Sequence, residues 1–77
     1  MPFINELKKT NNEFLIRIFH GDMSVFKGVG ENAHRLTENT LIDGASHSPI
    51  TIAGISGNIK PFVKLLNYPA VTNRLIG

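Results

Sequence analysis

The sequence predicts a small single α+β domain in which an antiparallel hairpin and a strand–helix–strand unit share one sheet. Three observations predict it. Glu13 to Val29 reads as a β-hairpin, two apolar-rich runs on either side of Gly21-Asp22 that place one almost wholly apolar face together. Ile50, Thr51, Ile52, Ala53 and Ile55 form a run rich in β-branched residues, the composition of a strand covered on both faces. Ile59, Phe62, Val63 and Leu66 then recur at i, i+3, i+4 and i+7, one stripe of an α-helix. The alternative is a small, mostly-β barrel with a C-terminal helix, and the choice rests on residues 31–48.

The elements follow in order. In Pro2 to Thr10, Phe3 and Leu7 lie one turn apart, and Lys8 and Lys9 fall toward the negative end of a helix dipole. This is a short helix, broken by Thr10-Asn11-Asn12. Gly21-Asp22 suits a two-residue type II′ turn with glycine first. That register pairs Ile18 with Val25 and Phe14 with Val29. One face then carries Phe14, Ile16, Ile18, Met23, Val25 and Val29; the other carries Leu15, Arg17, Phe19, Ser24, Phe26 and Gly28. Beyond Glu31, Ala33 and Leu36 suggest a helix ending near Asn39. Arg35 to Asp43 also reads as strands that turn at Glu38-Asn39 and bury Leu41 and Ile42; that reading gives the barrel. Gly44 to Ser48 is a loop by composition. Pro49 opens the isoleucine-rich strand, where a missing N–H matters least. Gly54 and Gly57 loosen the chain, Asn58 is an N-cap, and Pro61 fits a first helical turn. Asn67-Tyr68-Pro69 stops that helix. Val71 to Ile76 reads as a last strand, parallel to the first of its unit; the competing reading continues the helix past Pro69 with a kink.

At 77 residues with 42% apolar content and no cysteine, the chain has a small core and no disulfide or thiolate metal site to reinforce it. Self-association is the remaining common support, so a homo-oligomer is expected. Lack of cysteine fits a cytoplasmic, soluble protein. No charged-then-apolar leader and no run of about 18 apolar residues is present, so neither a signal peptide nor membrane association is expected. Eight basic and six acidic residues leave a net charge of +2, a weak field for a nucleic-acid binder.

Gly54, Ser56, Gly57, Asn58 and Lys60 form the most suggestive local feature. A glycine-bearing turn between a strand and a helix N-terminus aims backbone N–H groups at an anion, and Lys60 adds charge. The spacing is not that of a P-loop, and an ordinary capped turn accounts for the same residues. Arg17, Phe19, Phe26 and Lys27 offer a second site. On an exposed sheet face the aromatics would stack bases of a single strand, but a chain this short needs both phenylalanines in its interior, and core packing is the favoured reading. His20, Asp22 and His47 are a third, for acid–base chemistry, if the hairpin tip meets the loop at His47. With His34, the histidines show no metal-ligand spacing, so neither metal nor cofactor is expected. The serines include no nucleophile elbow, and the carboxylates are scattered.

Ile50 through Val71 resembles the closing strand–helix–strand of ferredoxin-like regulatory domains, which bind small ligands at dimer interfaces. The hairpin at Gly21, with Gly28, Asn39 and Gly44, resembles an Sm-like RNA-binding barrel but lacks that family's Asp and Asn signature. Each resemblance covers less than half the chain, and neither implies a site residue. The expected function is a non-catalytic binding and interaction module, self-associating, that takes a small anionic ligand or a protein partner. Single-stranded nucleic-acid binding is the second reading. A small enzyme with a His/Asp site is the third.

Overall fold

Every one of the four prolines stands at a helix start, and this placement organises the chain. Pro2 is the N-cap of α1 (Phe3–Lys9), Pro49 and Pro69 are the first residues of α3 (Pro49–Ser56) and α5 (Pro69–Ile76), and Pro61 lies in the first turn of α4 (Ile59–Leu66). N–H groups there have no intrahelical partner, so proline removes no bond and presets φ. The computed structural model describes residues 2–76. With α2 (Glu13–Phe19), it has five α-helices and one two-stranded sheet among those residues. The α+β class therefore holds, with helices carrying most of the core.

Where α2 stands, the sequence predicts the first hairpin strand. Asn12 caps the helix instead, its Oδ1 accepting the Leu15 N–H at 3.2 Å. Gly21 at φ 79° closes it: its N–H reaches the Ile18 carbonyl and the Asp22 N–H reaches that of Arg17. This paired 5→2 and 6→1 bonding is a Schellman ending, not a type II′ turn. Asp22 then caps a 3-10 turn over Met23–Phe26. The apolar residues suit both periods, and Leu15 with Ile18 are the pair α2 buries.

The hairpin that does form is β1 (Thr40–Ile42) with β2 (Ala45–His47), antiparallel, pairing Ile42 with Ala45 across Asp43-Gly44. Both turn residues have positive φ, 50° and 83°, the geometry of a type I′ turn. The chain thus turns at Asp43-Gly44 rather than at Glu38-Asn39. Ile42 is buried and Leu41 is exposed, and the helix expected near Ala33 to Asn39 is a single 3-10 turn over His34–Leu36.

The isoleucine-rich segment is α3, not a strand. Ser48-Pro49 starts it, and Gly57 at φ 76° ends it, its N–H on the Gly54 carbonyl. Val71 to Ile76 is likewise helical, within α5, so the expected strand–helix–strand unit is three consecutive helices. Start and stop signals here override β-propensity, which is a weak, context-dependent prior.

Leu7, Leu15, Ile18, Leu36, Ile42, Ile52, Leu65 and Val71 form the centre of one core drawn from all five helices, β1 and the His34–Leu36 turn. The α3 helix packs on both α2 and α4, and α1 packs on α2. Among the described residues no charged or polar residue is buried, so burial in this core carries no ionic desolvation cost.

Candidate functional site

α4 has the sequence Ile-Lys-Pro-Phe-Val-Lys-Leu-Leu, six apolar residues in eight, more than one helix face can cover. Its inward face is Pro61 and Leu65, with Phe62 and Leu66 packed beside them. Half of the stripe expected inside is therefore outside: Ile59 is 73% exposed and Val63 48%. These two β-branched side chains lie one turn apart on the outer face.

A shallow trough of about 400 Å³ runs along that face, lined by Met23, Ile59, Lys60, Val63, Lys64 and Asn67. A second hollow, lined by Met23, Ser24, Phe26, Lys27 and Lys64, shares two of those residues and extends the trough past the 3-10 turn. Its apolar floor is thus edged by three lysines. Among the described residues the ion pairs are Lys9–Glu6 and Arg17–Glu13, so none of the three lysines is paired with a carboxylate. Lys64 Nζ stands 5.4 Å from the Tyr68 ring centroid, a cation–π contact. Asp22 is the nearest acidic residue in sequence to the 3-10 turn. Its carboxylate accepts the Ser24 hydroxyl at 2.6 Å and the Ser24 N–H at 3.0 Å. The Ser24 hydroxyl first, then its N–H, with a smaller contribution from Arg17, holds that carboxyl below its ordinary value of 3.8, so it is a spectator anion at neutral pH.

The five cradle residues occupy the α3–α4 corner rather than a strand-to-helix turn. Gly54 is inside α3; Ser56 Oγ donates to the Ala53 carbonyl and accepts the Asn58 N–H. The Asn58 side chain donates to the Phe19 carbonyl at 2.6 Å, tying the corner to the end of α2. Gly54, Gly57 and Asn58 border a hollow with Ile59 and Phe62, while Lys60 lies on the neighbouring trough.

Arg17, Phe19, Phe26 and Lys27 share no sheet face. Arg17 and Phe19 belong to α2, with Arg17 Nε 4.0 Å from Glu13. Phe26 is in the core, its ring 6.1 Å from that of Tyr68 and 6.3 Å from that of Phe14. Phe26 is therefore largely covered, and with Arg17 and Phe19 on α2 the four residues do not form the flat platform expected of a sheet face. His20, Asp22 and His47 do not converge either. Ring contacts run in a row from His20 to Phe19, to Phe3, to His47, with two phenyl rings between the histidines. No group of three metal-ligating side chains occurs among the described residues. Likewise no described helix is long and apolar enough to cross a membrane.

The lysine-edged trough escapes a sequence reading that assigns the Ile59, Phe62, Val63, Leu66 stripe to the interior. Its signal is the surplus of apolar residues in α4, together with Met23 and Lys27 from the segment after Gly21. Compared with protein-family models, curated protein sequences and solved structures, the chain matches none. The ferredoxin-like resemblance rests on strands at Ile50 and Val71 that are helices, and the Sm-like one on a hairpin at Gly21 that is a helix end.

Proposed function

We propose that this protein is a non-catalytic binding module that docks a partner protein on the outer face of α4. One observation carries the reading: Ile59 and Val63 stand in solvent on a helix whose opposite face supplies the core, and the cations around them are unpaired. A partner segment that fits has apolar anchors spaced along one helix face and carboxylates flanking them, the helix-in-groove mode. The aliphatic floor favours a protein over nucleic acid, because phosphates would use Lys27, Lys60 and Lys64 and leave Ile59, Val63 and Met23 idle. A second copy fits this face less well. A two-fold contact sets a patch against itself and would bring like charges together. Self-association, if it occurs, belongs to another surface.

The test is fluorescence anisotropy with a labelled amphipathic helical peptide carrying leucines on one face and glutamates beside them. Saturable binding is expected, weakening with added salt and falling about tenfold or more in the double variant Ile59→Glu, Val63→Glu, as loss of central anchors implies. The same peptide with lysines for glutamates should not bind. No binding of the acidic peptide, equal binding of the two peptides, or tighter binding of a single-stranded oligonucleotide would each overturn the proposal.

A further inference from the structure

A second cavity shares no residue with the α4 trough. It is lined by residues of α5, of the start of α3 and of the segment around the 3-10 turn at His34–Leu36, and holds about 170 Å³. Half of its lining is aliphatic: Leu36, Ile50 and Val71 are core residues, and Leu75 is 57% exposed. Thr37, Asn39, Ser48 and Arg74 complete the lining. Arg74 forms no ion pair among the described residues. Glu38, between two lining residues in sequence, is exposed and does not line the cavity.

We infer that this cavity is a binding site for a small aliphatic monocarboxylate. One guanidinium matches one carboxylate in charge and in fork geometry, with N–H groups to both oxygens. A phosphate dianion would call for more positive charge than one arginine supplies. The hydroxyl of Thr37 and the amide of Asn39 are further donors in the same lining, while the Ser48 hydroxyl is already paired with that of Thr51 at 3.1 Å. The aliphatic side, Leu36, Ile50, Val71 and Leu75, accepts an alkyl chain and offers no hydrogen bond to a ligand that is polar at both ends. The volume is below the roughly 300–1,000 Å³ of sites for drug-sized ligands, so the chain is short, about four to six carbons. Such a ligand also covers Leu75, an exposed leucine with no packing role.

The experiment is a titration of the full, isotopically labelled chain with hexanoate, followed by amide chemical shifts. Hexanol and acetate are the controls, since each keeps only half of the ligand. Saturable shifts are expected at Leu36, Thr37, Ile50, Val71 and Leu75, with affinity in the millimolar range. Arg74→Gln removes an exposed side chain, so the fold is retained. It should weaken hexanoate about tenfold or more, the size expected for a hydrogen bond to a charged group. Hexanol and acetate should both bind more weakly than hexanoate. Shifts that fail to saturate, shifts that map elsewhere, or equal affinity for the parent and the Arg74→Gln chain would overturn the assignment. The α4 peptide assay is unaffected by either result, because the two sites have no residue in common.

Discussion

Gly54 and Gly57 lie three residues apart and do opposite work. Gly54 has ordinary helical φ inside α3, and a Cβ there would meet only Phe62 Cε2 at 3.7 Å, a normal contact. Replacing it with alanine removes backbone entropy from the unfolded chain and should stabilise the protein by about 0.5–1 kcal/mol. Gly57 sits at φ 76° with open space around it. The cost of Gly57→Ala is therefore purely conformational, about 1–2 kcal/mol destabilising. Urea unfolding of the two variants separates these effects because neither adds a clash. Midpoints that move in the same direction would show that α3 does not end at Gly57. The pair also explains a difficulty in reading the sequence. Two glycines in a β-branched run suggest a loosened loop, yet one is a helix interior residue and the other is the helix stop.

The joint between α2 and the α3–α4 corner depends on Asn58, whose amide donates to the Phe19 carbonyl at 2.6 Å. Gly21 abuts the same side chain closely: a Cβ there would fall 3.2 Å from Asn58 Cγ. Asn58→Ala leaves a partly buried carbonyl without its donor and should cost about 1–3 kcal/mol. Amide exchange should rise most around residues 19–22 and 57–59; uniform loss across the chain would show that the bond is not a local tie. Asn58 was legible as a punctuation residue, although its side chain bonds the Phe19 carbonyl rather than capping α4. Both α1 and α4 were legible as helices from apolar residues one turn apart bracketed by helix-breaking residues. The Asp43-Gly44 turn and the Gly21 helix ending were not. Both use glycine at positive φ, and only partner contacts decide whether such a glycine joins strands or ends a helix. The apolar run from Phe14 to Phe19 fits a period of two and a period of 3.6 alike, so burial chose between them. For α3, apolar on nearly every side, no stripe existed to be read. The docking face was hidden for a related reason: α4 carries two overlapping apolar stripes, and packing admits only one.

Taken as a whole, a chain of 77 residues has roughly 4–11 kcal/mol of stability to draw on. Its core is a single cluster in which Ile52 is fully buried. Ile52→Ala should cost about 2–5 kcal/mol, a large part of that total, and lower the unfolding midpoint sharply. Ile59 and Val63 are equally hydrophobic but belong to the surface. If they are retained for a partner rather than for folding, Ile59→Gln with Val63→Gln should change stability by less than about 0.5 kcal/mol per site, the usual range for exposed positions. Glutamine is also a better helix former than either residue, which works against any loss. The comparison of Ile52→Ala with the double variant, by thermal or urea unfolding on the same chain, separates a core role from a surface role. Destabilisation of the double variant comparable to that of Ile52→Ala would place the outer face of α4 inside the cooperative core. The docking surface would then have no physical basis. A folded, stable double variant that no longer takes the acidic peptide ties those two side chains to binding, since their loss would then have cost nothing else.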